Sequence, residues 1–192
     1  MAEIVVETTT VLANLLDAFN GESNAHARYL AFAAKADAEG WHGIASLFCA
    51  AAYAEHIHAG NHARVIRQQG GTPHAEIHRA ESRSTLENLQ VALGGERFEI
   101  ETMYPEFIKA AEDAHNKAAV RAFTWALEAE KTHARLFAEA IAELETGKKD
   151  SWTATERAFY VCPACGYTSE SANEHERCPV CNMSREKFEL IR

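Results

Sequence analysis

Four groups of carboxylates and histidines sit in the middle of segments that otherwise read as hydrophobic helix. They are Glu22, Glu55-His56-Ile57-His58, Glu96-Arg97-Phe98-Glu99 and Glu130-Lys131-Thr132-His133. Taking a charged group out of water without a partner is costly, so a core normally excludes it. Glu22, Glu55, Glu96, Glu99, Glu130, His58 and His133 on core-facing stripes therefore constrain the fold. It must bring them together around a cation, and the number of donors suits two.

Period and punctuation give four long helices. The first spans about Thr10 to Glu39, with Leu12, Leu15, Leu16, Phe19, Tyr29, Leu30 and Ala33 on its apolar stripe, and stops at Gly40. The second spans about His42 to Gln69, with Ile44, Phe48, Ala51, Val65 and Ile66 inward, and ends at Gly70-Gly71-Thr72-Pro73. Ser84-Thr85-Leu86-Glu87 matches a capping box and starts the third, which runs to about Glu112 with Leu86, Leu89, Leu93, Met103 and Phe107 inward. The fourth covers about Asn116 to Glu145, with Val120, Phe123, Leu127, Phe137, Ile141 and Leu144 inward, and Gly147 closes it. Pro105 contradicts the third helix locally: it lacks a backbone donor and should kink the helix nearby.

Short joints make helices one and two, and three and four, antiparallel hairpins, whereas Gly70 to Arg83 is long enough for a crossover. Two hairpins with one long crossover is the ferritin-like topology of an all-α four-helix bundle. A weak internal repeat agrees. Gly21-Glu22 corresponds to Gly95-Glu96 at an offset of 74, and Glu55-x-x-His58 to Glu130-x-x-His133 at an offset of 75. Each polar group lies within about one turn, roughly 5.4 Å, of its helix midpoint. All four therefore meet at one level of the bundle.

Residues 1–147 form this bundle, and the polar stretch 148–157, with no helical stripe, reads as a linker. Residues 158–192 form a separate module too small for a self-sufficient core, so something must staple it. The start, Met1-Ala2-Glu3, is acidic where a signal peptide needs cations, and no apolar run spans a bilayer. That reading gives a cytoplasmic protein with no membrane partner. The net charge of −9 and the lack of a basic stripe argue against nucleic acid.

Glu-x-x-His places both side chains on one helical face, within reach of a shared cation. The chain has four such motifs, but Glu39-x-x-His42 and Glu112-x-x-His115 sit at helix ends, where these residues are ordinarily solvated. Only the two mid-helix motifs need a cation. Seven donors dominated by hard oxygen, with two imidazoles, suit a pair of iron or manganese ions bridged by carboxylates. A Glu from each of two helices plus Glu-x-x-His from each of the other two is the di-iron pattern of such bundles, and Glu99 is one carboxylate more. Tyr29 and Tyr104 are placed to hydrogen-bond ligand carboxylates and supply protons. His26, His56 and His62 read as structural or exposed, and Cys49 as a small buried core residue.

In the tail, Cys162-Pro163-Ala164-Cys165 and Cys178-Pro179-Val180-Cys181 are separated by twelve residues. Two C-x-x-C hairpins present four thiolates tetrahedrally to zinc or iron. By themselves they leave that choice open.

The whole chain resembles rubrerythrin, a ferritin-like di-iron domain followed by a rubredoxin-like Fe(Cys)4 domain. The matching residues are Gly21-Glu22-Ser23-x-Ala25-x-x-Arg28-Tyr29, Ala54-Glu55-x-x-His58-Ala59, Gly95-Glu96-x-x-Glu99-x-x-x-Met103-Tyr104-Pro105, Glu130-x-x-His133 and the paired Cys-Pro-x-Cys. The resemblance implies two iron ions in the bundle, one in the cysteine module, and reduction of hydrogen peroxide to water. It implies electrons from an external NAD(P)H-dependent, rubredoxin-type reductase, and the chain has no dinucleotide-binding glycine fingerprint of its own. A homodimer or homotetramer is implied, with a partner's tail at each di-iron site. It also implies that Glu55 and Glu130 bridge, that Glu22, Glu96 and His133 are terminal ligands, and that His58 and Glu99 exchange at one iron on oxidation. The bundle alone also permits a ferroxidase or iron-handling protein of ferritin type. A zinc ribbon on a dimerisation scaffold is a further alternative.

Overall fold

A computed structural model of the chain describes residues 9–147, 152–171 and 176–192. Residues 1–8 of the expected bundle segment, 148–151 of the expected linker and 172–175 of the tail lie outside the described residues.

Helix α1 spans Thr10–Ala38 and starts at Thr9, whose hydroxyl accepts from Leu12 N at 3.2 Å. Such a cap satisfies one of the donors that the first helical turn leaves unpaired. Gly40, at φ +83°, turns the chain into α2 (His42–Gln68). Helix α3 (Thr85–Phe98) opens on the expected capping box between Ser84 and Glu87. Helix α5 (Lys117–Glu145) is capped by Asn116, which accepts from Ala119 N at 3.1 Å. Helix α1 packs chiefly on α2, and α3 on α5.

The third long helix is divided. Glu99–Met103 is a π turn in which Tyr104 N–H donates to the Glu99 carbonyl, and α4 (Tyr104–Asp113) continues with Pro105 in its first turn. Pro105 thus stands where its missing donor costs least, and the wider turn absorbs the discontinuity expected as a kink.

The crossover is held by two asparagines of α1. Asn20 Oδ1 accepts from Glu76 N, Asn24 Nδ2 donates to Glu76 O, and Asn24 Oδ1 accepts from His78 N, each at 2.9 Å. Glu39 fastens the far end, accepting from Thr85 N at 2.9 Å and Thr85 Oγ1 at 2.6 Å.

Two apolar clusters fill the bundle. One gathers Tyr29, Phe32, Phe48, Leu47 and Phe137, the other Leu15, Val65, Ile66, Tyr104 and Phe123. Between them in chain position on every helix lie the carboxylates and histidines. Two expectations fail at the edges of this core. Leu30 is 47% exposed, because it sits about 100° around α1 from the Leu15–Glu22–Tyr29 face. Cys49 is half-buried rather than enclosed, and burial raises its thiol pKa.

The end of the expected linker is docked rather than free. Trp152–Ala154 forms a 3-10 turn with Thr153 buried. It lies so close to α2 that a Cβ on Gly43 would overlap the Trp152 carbonyl. The tail then forms a three-stranded antiparallel sheet in the order β2-β1-β3, from β1 (Phe159–Val161), β2 (Thr168–Ser169) and β3 (Glu189–Ile191). Phe159 and Val161 join the first bundle cluster. The chain therefore carries its own cysteine module against its own bundle. The apolar face of β1 and the docked turn make this contact within one chain.

Candidate metal centre

The helices bring the buried polar groups into two overlapping sets. Glu22, Glu55, His58 and Glu130 form one, and Glu55, Glu96, Glu130 and His133 the other, with ligand atoms in each set lying within 4.8 Å of one another. Glu55 and Glu130, from α2 and α5, are common to both. Every residue of the two sets is buried. Glu22 Oε2, Glu55 Oε1 and Glu96 Oε2 have no hydrogen-bond donor among the described residues. Buried carboxylate oxygens left without donors, facing one another across the core, are what a pair of hard cations satisfies. The donor set fits two such ions.

The electrostatics carry the same signature. Burial first, then the facing carboxylates, push the pKa of Glu22 and Glu55 well above the ordinary range, and that of Glu96 to about 7. Glu130 goes the other way. Burial opposes its charge, but His58 and His133 hold it below the ordinary carboxylate value.

Both histidines turn Nδ1 inward. His58 Nδ1 lies 2.9 Å from Glu55 and 2.8 Å from Glu130, and His133 Nδ1 lies 2.8 Å from Glu130. Both turn Nε2 outward, onto the cysteine module. His58 Nε2 is 3.1 Å from the Cys165 carbonyl, and His133 Nε2 is 3.1 Å from Thr168 Oγ1. A carbonyl can only accept. The Thr168 hydroxyl already donates to the Gly166 carbonyl at 3.0 Å. Both outer nitrogens therefore carry the proton, which leaves each Nδ1 lone pair free for a cation.

Tyr29 Oη donates to Glu96 Oε1 at 2.6 Å, and Tyr104 Oη donates to Glu22 Oε1. Both expected tyrosines thus meet carboxylates of the two sets. Glu99 is the exception among the seven donors: it belongs to neither set. It is half-buried at the start of the π turn and lines an opening of about 400 Å³ with Tyr29, Arg28, Gly21, Gly95 and Phe98. It remains close enough to the centre that, after burial, Glu22 and Glu130 raise its pKa.

The four cysteines converge without disulfides. Their sulfurs approach in pairs, Cys162 to Cys181 at 3.4 Å and Cys165 to Cys178 at 3.5 Å. Matching backbone knuckles hold them: Gly166 N donates to Cys162 O and Asn182 N to Cys178 O, both at 2.9 Å, with Gly166 at φ +80° and Asn182 at φ +64°. Asn61 of α2 reaches this module too, donating to Ala164 O at 2.9 Å.

Sequence reasoning missed the contacts that dock the module, because Cys165 and Ala164 contribute backbone oxygens that no residue letter announces. His62, read as structural or exposed, is wholly buried one turn after His58 and belongs to neither ligand set. His26 bonds the Ala52 carbonyl at 2.7 Å, and His56 is exposed.

A four-helix bundle with a buried two-cation carboxylate centre, capped by a four-thiolate metal module, defines a non-haem metalloprotein of the ferritin-like class. The rubrerythrin family model matches residues 13–141, and the rubrerythrin rubredoxin-like domain matches residues 160–189. The chain is 38% identical to Rubrerythrin-2 of Clostridium acetobutylicum over 184 residues, covering 92% of this chain and 94% of that protein. It is 36% identical to Nigerythrin of Nitratidesulfovibrio vulgaris over 180 residues, covering 93% and 85%. Its fold matches fully reduced, all-ferrous nigerythrin with a TM-score of 0.84 at 32% identity, over 99% of this chain and 91% of that one.

The chain belongs to the rubrerythrin family. The carboxylate–histidine sets and the four cysteines are the ligand groups of that family's di-iron and rubredoxin-like four-cysteine sites. The family is one of di-iron, peroxide-detoxifying oxidoreductases. No helix among the described residues is long and apolar enough to cross a membrane.

Proposed function

We propose that the protein reduces hydrogen peroxide to water, with electrons passing from an external NAD(P)H-dependent reductase through the cysteine module to the di-iron centre. Bound iron pairs supply two electrons together, which is what cleavage of a peroxide O–O bond requires. The chain's own residues do the rest. Glu55 and Glu130 would be shared by both ions, Glu22, Glu96 and His133 would each hold one, and His58 and Glu99 would alternate at one position. Neutral imidazole suits the reduced state, and the anionic carboxylate offsets the charge gained on oxidation. Glu99 and Arg28 both line the opening, which we read as the way a small polar substrate enters from solvent. Tyr29 and Tyr104 orient Glu96 and Glu22 and hold the protons nearest the site.

The observation that supports this reading is the hydrogen bond from His58 Nε2 to the Cys165 carbonyl. It joins one ligand set to the other through a single imidazole. A storage role needs no such connection, and the likeness to a bacterioferritin, 21% identical with a TM-score of 0.67, is one of fold alone. The test adds peroxide to anaerobically reduced protein and follows both chromophores. Oxidation of the Fe(Cys)4 site after the di-iron site is expected. A cysteine site that stays reduced while the di-iron site turns over refutes the relay.

A further inference from the structure

His62 is wholly enclosed by the second apolar cluster, where a leucine or phenylalanine would pack without polar cost. Its ring lies 5.4 Å from that of Phe123 and 6.1 Å from that of Tyr104, centroid to centroid, so its orientation is fixed. Nε2 is 3.2 Å from Tyr104 Oη and 3.9 Å from Glu22 Oε1. Nδ1 is buried and has no hydrogen-bond partner among the described residues. A buried polar atom left unpaired carries the full desolvation cost of that atom and calls for an explanation.

The protons can be assigned. Tyr104 has one hydroxyl proton, and it goes to Glu22, because an ionised ligand carboxylate only accepts. The contact between His62 and Tyr104 therefore runs the other way, with Nε2–H donating to Oη. The unpartnered Nδ1 is then a bare lone pair, less costly to bury alone than an unsatisfied N–H. Burial, and then the nearby His58, keep the ring neutral, with a pKa lowered to about 3.

We propose that His62 is a positioning residue for the di-iron centre, holding the Tyr104 phenol so that its proton points at Glu22 and fixes that ligand's free rotation. This rests on the reading of Glu22 as a metal ligand. With His62 in place, the phenol oxygen already accepts a proton on its other side, and its own proton has one direction left. Without it, the hydroxyl can rotate away from Glu22. A chain of donors behind a ligand carboxylate typically contributes about 10- to 100-fold to metal affinity.

The test uses metal-free full-length protein titrated with Co²⁺, whose ligand-field absorption reports carboxylate–histidine coordination. The intense thiolate bands of Co²⁺ in the cysteine site serve as an internal control. The proteins are wild type, His62→Leu, His62→Gln, Tyr104→Phe and the His62→Leu/Tyr104→Phe pair. His62→Leu is expected to weaken Co²⁺ binding at the carboxylate site about 10-fold and to alter its ligand-field bands. His62→Gln, whose amide N–H can still donate, is expected to recover most of the affinity. In the Tyr104→Phe background, His62→Leu is expected to have little further effect. Thermal unfolding of the metal-free His62→Leu protein is expected at or above the wild-type temperature, since the unpaired nitrogen is gone.

Equal losses in His62→Leu and His62→Gln, or a His62→Leu loss undiminished in the Tyr104→Phe background, would overturn the inference and leave a packing role. Failure of wild-type protein to bind Co²⁺ outside the cysteine site would instead overturn the metal-ligand reading on which it stands.

Discussion

Replacing Gly166 by alanine perturbs the contact between the two metal sites at one atom. Gly166 sits at φ +80°, and a Cβ there would overlap His58 Nε2 and lie 3.0 Å from Cδ2 and 3.1 Å from Cε1 of the same ring. The ring cannot retreat, because Glu55 and Glu130 hold its other nitrogen at 2.9 and 2.8 Å. The module must move instead. The left-handed conformation itself costs alanine about 1–2 kcal/mol. Separating His58 from the Cys165 carbonyl, and Asn61 from Ala164, removes two hydrogen bonds of about 1 kcal/mol each. Moving the module off the ring therefore forfeits about 2 kcal/mol of contacts, in addition to a backbone strain that the docked and separated arrangements share.

The assay mixes peroxide with anaerobically reduced protein and records the rate at which the Fe(Cys)4 chromophore oxidises. Gly40→Ala is the control, because Gly40 has the same kind of backbone, φ +83°, with nothing within 4 Å of the added Cβ. It pays the backbone strain alone. Gly166→Ala should slow transfer at least tenfold while the ferric Fe(Cys)4 spectrum stays intact, and Gly40→Ala should leave transfer unchanged. A Gly166→Ala protein that transfers electrons within twofold of wild type would show that the His58 contact is not the route.

Other perturbations separate the roles of the remaining residues. Tyr29→Phe removes the donor to Glu96 and should reduce metal affinity or peroxide turnover about 10-fold, with little change in thermal stability, as metal titration and calorimetry would show. Glu99→Ala should retain a di-iron spectrum but slow steady-state peroxide turnover, and an unchanged rate would refute ligand exchange at that position. Glu39 has its pKa lowered to about 2 by hydrogen bonds from Lys35 and then Thr85. Its stabilisation is therefore complete above the ordinary value of 4.5 and lost as pH falls towards 2. Discounted for its exposure, Glu39→Gln should cost about 1 kcal/mol at pH 7, with a gap from wild type that narrows below pH 4.5 in urea unfolding. Stripping metal from the cysteines should make residues 158–192 cleave faster under limited proteolysis while the bundle resists, because that module is too small to hold itself together.

The parts of this protein visible in its sequence are those where residue type conflicts with environment. Glu22, Glu55, Glu96 and Glu130 stand out because an apolar stripe makes a carboxylate costly, and their common height follows from helix length alone. Pro105 stood out for the same reason, but a missing donor does not say how the backbone widens around it, and the π turn at Glu99–Met103 needed coordinates. Leu30 misled because an apolar residue on a surface is no contradiction at all.

The docking of the cysteine module lies at the other extreme. Its contacts run to the carbonyls of Ala164 and Cys165 and to the hydroxyl of Thr168, groups that carry no charge and break no pattern. Yet these neutral acceptors decide which nitrogen of His58 and of His133 holds the proton. They thereby decide that Nδ1 is free to face the carboxylates. Any hydroxyl or backbone oxygen at the same place would serve, so position rather than residue type matters there. Gly166 is different, since only a missing Cβ lets the module reach the His58 ring.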